Sequence, residues 1–242
     1  MPDTELLKRI NAGREVFYNF LSRSYQKEVD DEYLEMLISL IPHIEDMTSQ
    51  TEVVALNSGG KLLREFVDQL EGLNAKTKKE LLLDLARDFA YIFLTGVKSI
   101  PTCESVYRSP EHLLKQGPFY LDVRRIYDAN NFQVLVDFNE PEDHIAIQFK
   151  FLAVLSKRMS GAIEAGDFEK VSNIFNNQRM FIGEHTNKWI HQFCQLMLKA
   201  SGERLFYKAI SYLTEGFLSL DYEVIQKEMS QLIDQTRPED SI

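Results

Sequence analysis

Cysteine is nearly absent: the 242 residues hold only Cys103 and Cys194, far apart in the chain. Two such residues build no disulfide framework, and they fit a reducing compartment. No apolar run approaches the ~18 residues that a membrane-spanning helix requires, so no stable membrane insertion is expected. The opening stretch, MPDTELLKRINAGREV, has no uninterrupted apolar segment behind a basic cap and does not read as a secretory signal. A cytoplasmic location is therefore expected. Cations are in deficit, with 27 Lys and Arg against 37 Asp and Glu, a net charge of −10. Nucleic acid is excluded as a partner, because phosphate binding needs a cation surplus on some face. An acidic surface instead suits a basic partner.

What the chain does have is apolar residues at helical spacing almost throughout. Leu6, Leu7, Ile10, Phe17, Phe20 and Leu21 form a first stripe. A second helix opens near Asp30 and is expected to stop before Pro42. After a break at Asn57-Ser58-Gly59-Gly60, the stripe resumes with Leu62, Leu63, Phe66, Val67 and Leu70. Thr77 and Glu80 have the spacing of a capping box for a helix carrying Leu81, Leu82, Leu85, Phe89 and Phe93 and ending at Thr95-Gly96. A loop with Pro101 and Pro110 follows. Pro118 starts a helix that ends at Asn130-Asn131. Phe132 to Phe138 is the one strand-like stretch; a lone strand makes no sheet, so it reads as an extended connector. From Pro141 the next helix is apolar on more than one side, as a helix in the middle of a bundle is. Amphipathic helices around Phe175, Trp189, Ile210 and Leu232 complete the chain, ahead of a polar tail, RPEDSI. The expected class is all-α, a helical bundle with a hinge to a smaller C-terminal helical subdomain: residues 1–130, a hinge at 131–140, and 141–242.

Catalytic signatures are missing. There is no His-Glu-x-x-His, no GxSxG elbow and no C-x-x-C. Asn57 to Leu62 lacks the first glycine and the Ser/Thr of a phosphate loop. His191 and Cys194 share a helix face, but two ligands fall short of the four a structural zinc site uses. The stretch that stands out is Asn139-Glu140-Pro141-Glu142-Asp143-His144-Ile145. It reads as a helix start: Pro141 in the first turn, and Glu142 and Asp143 near the positive end of the helix dipole. His144, disfavoured as a cation there, is expected neutral and hydrogen-bonded across the connector.

Three pieces carry a family resemblance: Asp88-Phe89-Ala90-Tyr91-Ile92-Phe93-Leu94, Glu104-Ser105-Val106-Tyr107-Arg108-Ser109, and Glu140-Pro141-Glu142-Asp143-His144-Ile145. In that order and spacing, together with Trp189 and the early REVFYNFLSRSY, the chain resembles the TorD/DmsD family of redox-enzyme maturation chaperones. The resemblance implies an all-helical fold and binding without catalysis or cofactor. The implied partners are the twin-arginine signal peptide and the apo-form of a molybdenum-containing oxidoreductase of anaerobic respiration, held for cofactor insertion before export. It implies a monomer or a domain-swapped dimer. It places peptide binding on Tyr107, Ser109, Glu140, Pro141, Asp143 and His144, while helical spacing favours core roles for Phe89 and Phe93. Two other classes stay open on the residues alone: a helical adaptor for another amphipathic peptide, and a metal-dependent hydrolase around His144 and Asp143.

Overall fold

A computed structural model describes residues 2–95, 99–109, 111, 117–134 and 138–236. The helices are α1 (Pro2–Gln26), α2 (Asp31–Ser49), α3 (Val54–Asp68), α4 (Ala75–Phe89), α5 (Glu104–Arg108), α6 (Pro118–Ala129), α7 (Ile145–Glu164), α8 (Phe168–Glu184), α9 (Ile190–Ser201), α10 (Leu205–Leu220) and α11 (Gln226–Thr236). π-helical turns extend α4 (Ala90–Leu94) and precede α11 (Asp221–Ile225). Among the described residues there is no strand, only an isolated antiparallel bridge between Cys103 and His144. The all-α reading holds. In the expected connector, residues 132–134 and 138 are neither helix nor strand, and 135–137 lie outside the described residues, as do Pro110, His112 and the tail at 237–242.

Contact density groups the chain into two units. The first combines Met1–Arg23, Cys103–Trp189 and Leu220–Ile242; the second combines Ser24–Thr102 and Ile190–Ser219. These units are interleaved along the sequence. The division into 1–130, 131–140 and 141–242 is a different statement, about where the chain could hinge, and it stays an expectation.

In the first unit α7 runs through the middle, as its all-round apolar surface led us to expect: Ile145, Ile147, Phe149, Phe151, Leu152 and Leu155 are all buried. Phe151 packs with Tyr127, Phe132 and Phe181 at ring-centroid distances of 4.8, 5.3 and 4.9 Å. In the second unit Tyr33 and Phe66 meet Phe206 at 5.8 and 5.1 Å. Phe93 packs with Phe89 and Tyr207 at 5.1 and 5.9 Å; Phe89 is buried in the core, and Phe93, half-buried, packs against its edge.

Four local expectations are corrected. Pro42 lies inside α2 rather than ending it. An interior proline costs roughly 3 kcal/mol, and here burial of Ile41 and Ile44 on either side outweighs that cost. The Asn57–Gly60 stretch is not a break but part of α3. Its glycines serve close packing, since a Cβ on Gly59 would come within 2.8 Å of Leu213 and one on Gly60 within 2.2 Å of Thr48 Oγ1. The cap of α4 is Asn74, whose side chain accepts the N–H groups of Lys76 and Thr77, in place of a Thr77–Glu80 box. Finally, α7 begins at Ile145 and not at Pro141, with His144 as its N-cap. The segment 141–143 is instead held by the contacts that build the site below.

In the second unit the glycine approach that meets backbone most closely is at Gly216 of α10. A Cβ there would lie 2.3 Å from the backbone N of Leu56 and 2.6 Å from its Cα. Backbone cannot rotate away as a side chain can. Gly216→Ala should therefore destabilise the protein by about 1–3 kcal/mol through overpacking, read from the urea midpoint at unchanged slope. Gly161→Ala, in the last turn of α7 with nothing within 4 Å of the added carbon, should be neutral or mildly stabilising.

Candidate functional site

The site lies in the first unit, where α5 meets the start of α7. Backbone strain is not needed to form it; hydrogen bonds are enough. The Pro141 carbonyl accepts the N–H of His144 at 2.9 Å, turning the chain into α7. His144 Nδ1 accepts the N–H of Ala146 at 3.1 Å, satisfying a donor that the first turn leaves open. The ring is buried and holds its pKa down to about 3, because burial penalises the charged form. His144 is therefore neutral, as expected from the sequence, although its side chain bonds its own helix rather than reaching across the connector.

Asp143 organises the other helix. Its carbonyl accepts the N–H of Glu104 at 3.2 Å, and its carboxylate Oδ2 accepts the N–H of Ser105 at 2.8 Å. Cys103, at the cap position of α5, makes no side-chain cap bond of its own. Asp143, 38 residues further along, thus caps α5 from outside. It is fully buried, and burial raises its carboxyl above the ordinary range, opposed by the Ser105 hydrogen bonds. The dipole role expected for this acid at the start of α7 is replaced by one at the start of α5.

The hub of the site is Glu104, also fully buried. Its carboxylate receives Arg108 Nη1 at 2.5 Å, Gln148 Nε2 at 2.7 Å and meets His185 Nδ1 at 3.1 Å. Gln148 Oε1 in turn accepts Thr186 Oγ1 at 3.3 Å. Arg108 continues outward: it donates to the Glu184 carbonyl at 2.6 Å and lies over the Phe119 ring, 3.7 Å from its centroid. A buried carboxylate persists when its lone pairs are filled in this way.

Of the six residues singled out in the sequence, Asp143 and His144 are brought against Cys103, Glu104 and Ser105, the residues leading into Tyr107 and Ser109. Tyr107 is half-buried, its ring 5.1 Å from that of Trp189. Ser109 is buried and closes α5, donating its N–H to the Ser105 carbonyl at 2.8 Å. Pro141 is buried, and Glu140 is exposed. Glu142 is half-buried and accepts the Tyr120 hydroxyl; burial first, then this carboxylate, push the Tyr120 phenol up to about 12.

Glu104, Arg108, Gln148 and His185 were missed as site residues. Glu104 and Arg108 sit four apart, a helical ion-pair spacing legible in the sequence; nothing in the sequence marks His185. A side chain that a ligand could touch without rearrangement is offered by Tyr107, Glu140, Glu142 and the outer part of Arg108. Among the described residues, no group of three His, Cys, Asp or Glu is arranged to hold a metal ion. No helix among them is long and apolar enough to cross a membrane.

Comparison with known proteins gives two findings. Residues 57–195 match the family described as nitrate reductase delta subunit, a span that includes α5, residues 140–144 and Trp189. The chain is also similar to the chaperone protein TorD of several bacteria. It is 29% identical to that of Aliivibrio salmonicida, over 92% of this chain and 99% of the relative. It is 30% identical to that of Vibrio cholerae, over 89% and 93%, and 24% identical to that of a Shewanella strain, over 90% and 96%.

Proposed function

Since the chain belongs to the TorD/DmsD family of redox-enzyme maturation chaperones, we propose that it binds the twin-arginine signal peptide of its client at the junction of α5 and the α7 start. The protein is a chaperone of molybdoenzyme maturation and not an enzyme. The signal peptide as ligand, action in the cytoplasm, and the residues that touch the peptide are the proposed part. The observation that carries the reading is the hydrogen bond that the Asp143 carboxylate accepts from the Ser105 N–H. It joins two of the three motifs of the family resemblance into one structural element.

The peptide-binding set Tyr107, Ser109, Glu140, Pro141, Asp143 and His144 divides by exposure into two roles. Tyr107 and Glu140, with Glu142 beside them, offer an aromatic face and carboxylates to a ligand that carries two arginines and an apolar stretch; such pairs are charge-assisted and can be bidentate. Ser109, Pro141, Asp143 and His144 are buried and hold α5 and its neighbours in place. The hinge at 131–140 belongs to the same proposal, as the place that would permit segment exchange in a domain-swapped dimer.

Calorimetric titration with a synthetic twin-arginine signal peptide tests this. The double change Glu140→Gln/Glu142→Gln should weaken binding by about 1–3 kcal/mol with a melting temperature near that of the wild type, since a glutamine at 142 can still accept the Tyr120 hydroxyl. Tyr107→Ala should weaken binding similarly, with a lower melting temperature because its ring packs against Trp189. Asp143→Ala should lower both affinity and melting temperature. Unchanged affinity in the Tyr107 and Glu140/Glu142 variants would place the peptide elsewhere.

A further inference from the structure

The second unit has a groove of its own, built from α3, α4 and the start of α10, with a volume of about 740 Å³. That is within the range of formed binding sites, roughly 300–1,000 Å³. Phe206 is buried at its floor, and Leu81 and Leu205 are half-buried along it, leaving apolar surface facing the opening. Its rim is acidic. Glu65, Asp84 and Glu203 are exposed, and Asp88 stands at one end. The one lining cation, Arg204, is engaged: its Nε donates to Asp88 at 2.6 Å, and its guanidinium lies over Tyr91, 4.4 Å from the ring centroid. Asp84 is paired with Arg87 at 2.9 Å. Among the described residues, neither Glu65 nor Glu203 has an ion-pair partner.

Half-buried leucines where α3, α4 and α10 meet, flanked by unneutralised carboxylates, define the occupant by complementarity. We propose that this groove docks a cationic amphipathic helix of a client polypeptide, with leucine-like side chains over Leu81 and Leu205 and lysine or arginine side chains against Glu65 and Glu203. Helix-in-groove recognition reads one apolar face at i, i+3, i+4 and i+7, and the two carboxylates set its direction and register. A phosphate-bearing ligand is disfavoured by the rim. A second copy of this chain is disfavoured by its net charge of −10. The docking site uses none of the residues of the α5 junction, and the inference does not rest on the signal-peptide reading.

The test uses the full chain, labelled with ¹⁵N, and a synthetic helix of about fourteen residues with leucines at the four apolar positions, flanking lysines and no arginine pair. The expected result is chemical-shift changes concentrated on Leu81, Leu85, Glu203 and Leu205. The double variant Glu65→Lys/Glu203→Lys should weaken binding by about tenfold or more, a loss of about 1.4 kcal/mol, with an unchanged melting temperature because both sites are exposed. Leu205→Ser should weaken it independently of charge, and the same peptide with glutamates for lysines should not bind. Shifts centred away from the groove, equal binding of the glutamate peptide, or full affinity in the double variant would each overturn the proposal. Because the probe lacks twin arginines, a failure here leaves the Tyr107 experiment unaffected, and the reverse.

Discussion

Asp221→Ala is expected to lower the free energy of unfolding by about 3–5 kcal/mol, the cost of leaving a buried charge without its partner. Arg14 is 1% exposed and Asp221 fully buried. The guanidinium meets the carboxylate through two bonds, Nε to Oδ1 at 2.6 Å and Nη2 to Oδ2 at 3.0 Å. The Tyr18 hydroxyl donates to the same carboxylate, and Arg14 Nη1 donates to Gln178 Oε1 at 2.7 Å. Gln178 is itself fixed by bonds from its Nε2 to the Leu152 carbonyl and Ser156 Oγ, at 3.0 and 2.8 Å. Removing the carboxylate therefore leaves a buried guanidinium without its counter-charge. Urea denaturation at constant slope reads the loss directly. The double variant Arg14→Leu/Asp221→Leu is the control: with both charges gone, the cost should fall below that of the single change, because buried ion pairs replaced as a pair by apolar groups are often close to neutral. A single-site cost under about 1 kcal/mol would mean the pair is solvated, contrary to the burial.

The second large effect is a pH dependence centred on His144. Its folded pKa of about 3 lies below the unfolded value near 6.5. A base with a depressed folded pKa takes up a proton on unfolding. Its contribution is thus present above about pH 6.5 and is lost as pH falls toward 3, at up to about 1.4 kcal/mol per unit and roughly 4–5 kcal/mol in all. Asp143 acts in the opposite sense. Its raised carboxyl penalises the folded state at neutral pH, and that penalty is relieved as pH falls through its folded pKa toward the ordinary range. Comparing His144→Asn with the wild type isolates the histidine, since asparagine still caps the Ala146 N–H and does not titrate. The difference in stability between the two should shrink by several kcal/mol from pH 7 to pH 4, in favour of the variant. Parallel curves over that range would show that His144 is protonated in the folded protein.

Helix content was legible because it follows from apolar spacing, and the all-round apolar surface of residues 145–155 marked α7 as central. Pro42 and Gly59-Gly60 misled for one reason: both residues weaken an isolated helix, and both are tolerated here by tertiary contacts no local rule contains. The same holds at residues 141–143. A proline followed by two acids is a good helix start, so the sequence alone could not foresee that Asp143 turns instead to Ser105, on a helix 38 residues earlier. The motifs at 104–109 and 140–145, far apart in the chain, do meet in the fold. They did not reveal Glu104 as its hub, because a glutamate four residues from an arginine looks like any solvated pair until Gln148 and His185 close over it.

The Arg14–Asp221 pair has a consequence for biosynthesis. Its two members are 207 residues apart, and the first unit draws on segments from the start, middle and end of the chain. A ribosome emitting this protein has exposed α1, α5 and α7 long before Asp221 leaves the exit tunnel. Through that interval Arg14 and the apolar stripe of α1 stand without their final neighbours. Domains that mature in order from the N-terminus escape such a wait; a unit closed by distant contacts forms late and slowly. The nascent chaperone is itself, for most of its own synthesis, an unfolded client.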